Sequence, residues 1–453
     1  MNRAARAVDL LRQRPLWIAP LLFGTVLIAI ITVLYLGSTV DPIAHLHGLP
    51  VSIVNYDDGA RAGGRDVQLG REVEALLRKS PELSDQLALK PQTLAEAEDR
   101  MDSGHAYATV FIPPDFSAAA LTLAGWPIAA QGPRHGPEVW IYANQRAGTQ
   151  GASIASSTLQ VALGGISVHL GRQLEATAPS RSAATKAALA EPVRQIPTYY
   201  RPLPAGSALG LSAFYVSLLT LMCGFLGAAI VNGVLDGALG FAPTEFGPHW
   251  SMRRPVLISR WQTLLAKWAM AGVLSGILAA LMIFVAAVLL GMNAPEPVLL
   301  WLYCWLCAAT VATGTLALIA AVGAQGQLLA LLIFIYLGLA SAGGTTPVEA
   351  LPELLRGISH LDPLRQILGG VRSILYFESR GDAGLDQGLL FTLVGLAFWL
   401  ALGTFFVRRY DRKGRDRLDP ALIKYVNDSV DKYRERAAAS DAAPDQPALG
   451  GDS

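Results

Sequence analysis

Cysteine is almost absent from this chain of 453 residues, which contains only three. Cys223, Cys304 and Cys307 all lie within apolar runs, where no oxidant or polar partner loop reaches them. A disulfide framework is therefore excluded, and the C-x-x-C that Cys304 and Cys307 form lacks the polar, accessible setting of a redox or zinc site. We interpret all three as small apolar residues.

The sequence also lacks the common motifs of nucleotide, metal and hydrolytic sites. No G-x-x-x-x-G-K-[ST] phosphate loop and no G-x-S-x-G nucleophile elbow occurs, so neither an ATP cradle nor a hydrolase site of those kinds is expected. The dispersed histidines lack the paired or i, i+4 spacing of a zinc site and are interpreted as surface residues. They are His45, His47, His105, His135 and His169. We therefore predict that the chain is not an enzyme and holds no cofactor and no metal.

Charged residues are scarce, at 16% of the chain, whereas hydrophobic residues make up 52% and gather in long runs. A helix needs about 20 apolar residues to cross the ~30 Å hydrocarbon layer of a bilayer. Five runs reach roughly that length and a sixth, 328–342, falls slightly short. The predicted transmembrane helices are 16–36, 209–231, 264–290, 298–322, 328–342 and 389–407. The predicted fold class is an α-helical polytopic membrane protein with six transmembrane helices.

Ionisable side chains are nearly absent from the interiors of these runs. Lys267, one turn into its helix, is the main exception, and we expect its ammonium to snorkel to the membrane interface. Carriers driven by protons or ions usually keep a carboxylate or a histidine at membrane depth, because the driving ion binds and leaves there. If the chain moves a solute, the energy is therefore predicted to come from another protein.

The distribution of arginine predicts the orientation of the chain. Four arginines precede the first run and a dense basic group follows the last, so both termini are predicted to be cytoplasmic by the positive-inside rule. The first four are Arg3, Arg6, Arg12 and Arg14. The predicted segments are a cytoplasmic amphipathic helix (1–15), the first span (16–37), an extracytoplasmic domain (38–206), a five-helix region (207–410) and a cytoplasmic, partly disordered tail (411–453). The basic N-terminal helix suits either a surface of anionic lipid or a purely orienting role.

The external segment 38–206 alternates strand and helix patterns, which predicts an α/β domain between the first two membrane helices. Strands are predicted at 51–55, 107–112 and 139–142, and helices at 69–79, 93–101, 116–123 and 149–174. Ser117 is a candidate cap for the helix after Phe116. The helix at 149–174 carries too many polar residues for a seventh span. A flexible turn is expected at 59–64, and 177–204, with five prolines, is predicted to be an irregular connector.

Several stretches of the sequence resemble one known family. VSIVNYDDG at 51–59 and REVEALLRKSPEL at 71–83 resemble the strand, acidic turn and first helix of its external domain. AEAEDRMDSGHAYATVFIPPDFSAAAL at 95–121 and VWIYANQRAGTQGASI at 139–154 resemble the elements that follow, and ASAGGTTPVEALPELLRGISHLDPLRQILGGVRSILY at 340–376 resembles its external re-entrant segment. The family is that of the type-2 ABC (ATP-binding cassette) export permeases, especially the multidrug-export and phage-infection-protein (YhgE/Pip-like) branch.

The resemblance implies a homodimeric permease of the bacterial cytoplasmic (inner) membrane that exports an amphipathic or drug-like substrate. A separate cytoplasmic ATP-binding subunit is implied to engage the N-terminal helix and the cytoplasmic loop at 236–262. In that loop the partner-coupling candidates are Glu245, Arg253, Arg254 and Arg260. Orientation of the chain and contact with lipid headgroups are the alternative role for these residues. The external segment 343–387 is implied to form an outer gate, with the candidates Pro347, Pro363, Arg365 and Arg372.

A different class of function is left open by the sequence. The chain is alternatively an envelope scaffold or a phage or partner receptor whose external domain binds a periplasmic or cell-surface partner while the spans only anchor it. Six spans exceed what anchoring requires. The net charge of +1 gives no reason to propose nucleic-acid binding.

Overall fold

The computed structural model describes residues 14–39, 41–128, 135–179, 182–246, 249–251, 253–256 and 258–414, together with 423–424, 427–429, 431–432 and 435. Most of the predicted amphipathic helix at 1–15 and most of the tail at 411–453 lie outside these residues. The chain divides into two compact units. The first comprises Met1–Leu219, Met282–Cys304 and Leu332–Thr392, and the second Thr220–Leu281, Trp305–Leu331 and Leu393–Ser453.

An apolar helix, α1 (Arg14–Thr39), precedes the α/β domain of the first unit. The strands of that domain are β1 (Leu49–Asn55), β2 (Ala60–Ala62), β3 (Arg65–Val67), β4 (Leu87–Pro91), β5 (Ala108–Ile112), β6 (Glu138–Ala143) and β7 (Arg194–Tyr199). Its helices are α2 (Leu69–Lys79), α3 (Pro81–Gln86), α4 (Leu94–Asp102), α5 (Phe116–Leu123), α6 (Thr149–Thr177) and α7 (Ala183–Leu189).

Five of the strands form one mixed sheet in the order β4-β1-β5-β6-β7. β4, β1 and β5 are parallel, β6 is antiparallel to β5, and β7 is parallel to β6. Strand residues alternate between the two faces. The face that carries Ile53, Val110 and Ile141 packs against α2, α5 and α6 in a single buried core. The opposite face is covered in part by α4, which contacts β1 and β5.

Asp57, which follows the carboxyl end of β1, forms hydrogen bonds with the first turns of both α2 and α5. Its Oδ1 accepts hydrogen bonds from the backbone N–H groups of Ser117 (2.9 Å) and Gly59 (3.3 Å), and its Oδ2 accepts from the Gly70 N–H (2.9 Å) and the Ser117 hydroxyl (2.6 Å). The Ser117 hydroxyl in turn accepts from the Leu69 N–H at 2.8 Å. The prediction that Ser117 caps its own helix is therefore wrong, because Asp57 satisfies that helix and Ser117 caps α2.

The structure gives regular elements to two segments, of which the sequence predicts one as a flexible turn and the other as an irregular connector. The segment 59–64 enters a β2–β3 hairpin in which Gly63 and Gly64 have φ of 58° and 77°. A two-residue hairpin turn requires positive φ at both positions, which glycine adopts without strain. The connector 177–204 contains α7 and β7, and β7 pairs with β6 from Glu138 to Ala143. Pro197 is tolerated there because β7 is an edge strand.

The second half of the chain is helical. It contains α8 (Ser212–Ala238), α9 (Arg260–Phe284), α10 (Pro297–Val322), α11 (Gln325–Ala330), α12 (Leu337–Ser341), α13 (Glu353–Ser359), α14 (Pro363–Tyr376) and α15 (Leu385–Arg412). One π-helical segment, Val285–Leu289, extends α9, and another, Leu331–Tyr336, joins α11 to α12. A small hairpin of β8 (Thr244–Phe246) and β9 (His249–Ser251) lies between α8 and α9 in the sequence.

Among the described residues, five helices are long and apolar enough to cross a membrane. They are Thr149–Thr177, Ser212–Ala238, Arg260–Leu289, Pro297–Val322 and Leu385–Arg412. The last four match predicted spans. The first, α6, packs along the sheet instead, with Leu159, Leu163 and Leu170 at most 1% exposed. The other two predicted spans correspond to the shorter apolar helices Thr25–Leu36 and Gln325–Ser341, so the count of six stays a prediction.

Gly272 and Gly276 of α9 bring that helix close to α10. The Trp305 Nε1–H donates a hydrogen bond to the Gly272 carbonyl at 2.8 Å. A Cβ atom added to Gly276 would lie 2.9 Å from the Trp305 indole. The sequence leaves this G-x-x-x-G open between close packing and chance, and the structure favours close packing.

Candidate functional site

A buried ion pair joins the last turns of α8 to the beginning of α9. The Lys267 ammonium donates to Asp236 Oδ1 at 2.8 Å and to Asn232 Oδ1 at 2.6 Å. The side chains of Lys267 and Asp236 are only 6% and 13% exposed. Asn232 and Asp236 are four residues apart, so they lie on one face of α8, and the carbonyl end of that helix favours a nearby cation. We call Asn232, Asp236 and Lys267 the helix-end cluster.

The expectation that Lys267 snorkels to the membrane interface is wrong. Its ammonium is buried against two side chains of α8 because the ends of α8 and α9 adjoin within the second unit. Asp236 also lies inside α8, which continues to Ala238, so the connecting loop is 239–259 rather than 236–262. A carboxylate that the sequence assigns to the loop is therefore part of the helix bundle.

A cavity of about 650 Å³ adjoins the helix-end cluster. Its polar wall includes Arg260 and Thr263 of α9 and Tyr410 of α15. The Arg260 guanidinium lies 5.6 Å from the centre of the Tyr410 ring, within the range of a cation–π contact. The Tyr410 hydroxyl donates to the Ala321 carbonyl at 2.6 Å. These contacts fix the ends of α9, α10 and α15 around a space that admits water or a polar side chain. Among the described residues no cluster of three or more His, Cys, Asp and Glu side chains could hold a metal ion.

The other coupling candidates are spread along the loop 239–259. Glu245 lies in β8, where its backbone pairs with Trp250. Arg253 and Arg254 are exposed, and the Arg254 guanidinium contacts the carboxylate of Asp431 in the tail. The Val256 N–H donates to the Leu239 carbonyl at 3.0 Å, which closes the base of the loop. Arg260 lines the cavity, whereas Arg253 and Arg254 are exposed to solvent.

The four predicted gate residues all lie in the segment 343–387, which we call the outer segment after its predicted position. Pro347 precedes a 3₁₀ turn at Val348–Ala350, and Pro363 is the first residue of α14, where proline loses no helical hydrogen bond. Arg365 donates to the Ser359 hydroxyl at 2.6 Å. Arg372 donates to the Gly343 carbonyl at 3.3 Å. Both prolines therefore start helical turns, and both arginines fasten the segment to itself.

The outer segment is also joined to the α/β domain by polar contacts. Arg380 pairs with Asp99 of α4 at 2.8 Å, and Arg146 donates to the Tyr376 carbonyl at 3.0 Å. Arg356 donates to the His45 carbonyl at 3.0 Å. These bridges connect residues more than 200 positions apart, so no pattern in the sequence indicates them.

Glu349, Tyr107 and Arg372 lie close together where the outer segment contacts the α/β domain, a boundary that we call the seam. Burial raises the pKa of the Glu349 carboxyl, and the nearby Arg365 and Arg356 charges oppose that rise. Burial likewise raises the pKa of the Tyr107 hydroxyl, which the Glu349 charge raises further, and burial lowers the pKa of the Arg372 guanidinium. The predicted gate residue Arg372 is thus part of a charged seam with the α/β domain.

The sequence carried one usable signal for the helix-end cluster. Asp236 and Lys267 are opposite charges at the facing ends of two consecutive apolar runs, and Asn232 is one helical turn from Asp236. A polar stripe at such a position predicts a partner on the next helix.

Comparisons with known proteins identify a family over most of the chain. A family model described as ABC-2 family transporter protein matches residues 16–405. No curated protein matches the chain. Among solved structures, the chain is similar to the crystal structure of a domain of a candidate ABC type-2 transporter from Thermotoga maritima MSB8. The identity is 18%, the match covers 33% of this chain and 85% of that chain, and the TM-score is 0.23.

Proposed function

We propose that this chain, which belongs to the ABC-2 transporter family, is the permease of an exporter. As a member of that family it is a multi-pass membrane component that associates with an ATP-binding subunit. It moves an amphipathic or drug-like substrate outward from the cytoplasm or the inner leaflet. A separate cytoplasmic ATPase subunit supplies the energy. The family is one of transporter membrane components and not of enzymes.

The observation that carries the coupling proposal is the buried pair of Asp236 and Lys267. The helix α8 ends two residues after Asp236, and the loop 239–259 then enters α9 seven residues before Lys267. A load applied to the loop then reaches two helix ends that are held together by an ion pair with little exposed surface. Stiff elements of this kind transmit displacement, whereas a flexible junction would absorb it.

The exposed arginines of the loop suit contact with the ATPase subunit. Arginine presents a planar fork that binds a carboxylate through two hydrogen bonds. No described residue forms an ion pair with Arg253, whereas Arg254 is engaged by Asp431. We propose that Arg253 contacts the partner directly and that Arg254 joins it when the tail releases. Glu245 and Arg260 complete the proposed coupling set.

The remaining proposals concern assembly and location. We propose that the chain crosses the inner membrane of a bacterium six times and that both termini are cytoplasmic. The arginine distribution and the six apolar helices that correspond to the predicted spans support this proposal. The chain acts as a homodimer, with the outer segment and its residues Pro347, Pro363, Arg365 and Arg372 as the exit gate. A periplasmic or cell-surface partner of the α/β domain is part of the same proposal.

Cysteine labelling tests the proposed orientation. A cysteine introduced at Asp58, an exposed position of the α/β domain, is expected to react with a membrane-impermeant maleimide in intact cells. A cysteine at Arg253 is expected to react only after the membrane is permeabilised. The native chain, whose three cysteines are buried or half-buried, provides the background. The reverse pattern of labelling would overturn the topology.

The Arg253→Ala/Arg254→Ala double variant tests the coupling surface. Loss of two exposed charge pairs is expected to weaken co-purification with the ATPase subunit by about tenfold, since each such pair contributes up to ~1 kcal/mol. Membrane insertion and abundance are expected to stay near those of the native chain. The Asp431→Ala variant, which breaks only the contact within the chain, is the matched control and should keep full partner binding. Unchanged partner binding by the double variant would assign both arginines to orientation and lipid contact alone.

The scaffold or receptor alternative is separated from the exporter by its dependence on ATP. A receptor binds its partner equally well with an inactive ATPase subunit, whereas outward movement of substrate stops. Proteoliposomes that contain the chain and either the native or a Walker-lysine variant of the ATPase subunit distinguish these outcomes. Equal substrate movement with both subunits would count against the exporter.

A further inference from the structure

The sheet of the α/β domain is covered unequally on its two faces. Helices α2, α5 and α6 pack on one face, whereas α4 lies on the other, over β1 and β5. Next to α4 this second face contains a cavity of about 260 Å³. Its floor includes Thr109 and Phe111 of β5 and Tyr142 of β6, and Thr109 and Tyr142 are direct partners in the strand register.

The roof and one end of the cavity are also apolar or aromatic. Leu94, Ala97 and Met101 of α4 lie at spacings of three and four residues, which places them on one face of that helix. Tyr200, just beyond β7, closes the end, and its hydroxyl donates to Asp102 at 3.0 Å. The cavity is therefore a slot between a helix and a sheet, with aromatic rings on two sides.

The Thr109 hydroxyl is a buried polar group without a partner. The residue is 5% exposed, and its Oγ1 forms no hydrogen bond with any part of the chain that the structure describes. An unpaired buried hydroxyl is costly, and such groups are rare in native proteins. A ligand in the slot that supplies a hydroxyl would satisfy it.

A carboxylate that pairs with no described basic side chain lies at the opening of the same slot. Glu98 lines the cavity and is exposed. Its neighbours on α4 are neutralised, since Asp99 pairs with Arg380 and Asp102 with Arg201, but no described basic side chain pairs with Glu98. Its charge contributes to raising the pKa of Tyr200 to about 12, after the larger effects of burial and of Asp102. The mouth is thus acidic and lies beside aromatic rings, a combination that attracts organic cations.

We propose that this slot binds a small amine built on one aromatic ring, with a ring hydroxyl at Thr109 and the protonated nitrogen at Glu98. The volume favours one ring with a short chain, because drug-sized ligands occupy pockets of roughly 300–1,000 Å³. The aromatic walls stack on the ring, and Glu98 with the nearby rings holds the cation. This binding site lies in the α/β domain, apart from the predicted spans, and it does not depend on the proposed export function.

Three related probes separate the two polar contacts. They are tyramine, which has both groups, phenethylamine, which lacks the hydroxyl, and 4-ethylphenol, which lacks the amine. Calorimetry on the full chain in lipid nanodiscs is expected to show tyramine binding most tightly, with a dissociation constant on the order of 1 mM for a ligand of this size. Empty nanodiscs report partition of each probe into lipid.

Two variants assign the contacts to Thr109 and Glu98. Thr109→Val keeps the shape and is expected to weaken tyramine about fivefold while leaving phenethylamine unchanged. Glu98→Gln is expected to weaken both amines about threefold and to leave 4-ethylphenol unchanged. Glu191→Gln, which alters an exposed glutamate that does not line the slot, is the matched control. Thr109→Ser, which restores the hydroxyl, should restore the preference for tyramine.

The proposal is overturned if no probe gives saturable binding above that of empty nanodiscs. It is also overturned if Thr109→Val and Glu98→Gln weaken all three probes equally, which would indicate a change of fold rather than loss of a contact. Binding that persists when export is abolished by an inactive ATPase subunit supports the slot independently of transport. Failure of export with intact tyramine binding would therefore count against the exporter and not against the slot.

Discussion

Replacing Lys267 with methionine is expected to destabilise the chain by about 3–5 kcal/mol, because it removes the buried ammonium that pairs with the Asp236 carboxylate. Methionine keeps the length of the side chain, so the loss comes from charge rather than from packing. The measurement is the thermal unfolding temperature of the purified chain in detergent. Lys413→Met, a change at an exposed lysine beyond α15, is the control and should unfold like the native chain.

A second substitution at Asp236 separates stability from coupling. The Lys267→Met/Asp236→Asn variant removes both charges of the pair together and is therefore expected to regain most of the lost stability. We expect it nevertheless to transmit loop motion less well, with reduced stimulation of the ATPase subunit by substrate. If Lys267→Met alone unfolds at the native temperature, the pair does not hold the two helix ends together.

Replacing Asp57 with alanine is expected to cost about 3 kcal/mol or more in the α/β domain. The substitution removes the carboxyl group that accepts hydrogen bonds from Ser117, Gly70 and Gly59, and it leaves helix N–H groups unsatisfied where the chain is partly buried. The first turns of α2 and α5 should exchange their amide hydrogens much faster, as measured by mass spectrometry. The loss of stability is expected to be confined to the α/β domain, because the predicted spans lie in other parts of the chain.

Asp58 provides the matched control for Asp57. It is the adjacent acidic residue, it is exposed, and the contact that the structure gives it is a backbone hydrogen bond from its N–H to the Pro114 carbonyl at 3.0 Å. Asp58→Ala should therefore leave amide exchange in α2 and α5 unchanged. Equal exchange in the two variants would show that the Asp57 carboxylate does not anchor these helices.

The sequence predicted elements that have strong local signals. The helices at 69–79 and 116–123 agree with α2 and α5 at both ends, and the predicted strands lie within one or two residues of β1, β5 and β6. Apolar runs of roughly 20 residues located α8, α9, α10 and α15, because length and hydropathy are properties of a single segment. The family resemblance is confirmed by the match over residues 16–405.

Features that depend on a distant partner were not predictable from one segment. β7 was missed because Pro197 argues against a strand, and only its edge position beside β6 makes that proline acceptable. The roles predicted for Ser117 and Lys267 were wrong for a related reason. Ser117 was assigned to its own helix and Lys267 to the membrane interface, whereas their partners Asp57 and Asp236 are remote in sequence. The seam between Arg380 and Asp99 spans 281 positions and has no local signal.

The most direct test of a permease driven through the loop 239–259 by a separate ATPase is a photo-cross-link from Arg253 in intact cells. A photoreactive amino acid at position 253 is expected to give an adduct that contains a protein with a G-x-x-x-x-G-K-[ST] phosphate loop, identified by mass spectrometry. The same amino acid at position 58, in the α/β domain, should give no such adduct. A folded, membrane-inserted chain whose position 253 yields no phosphate-loop protein would contradict this mechanism.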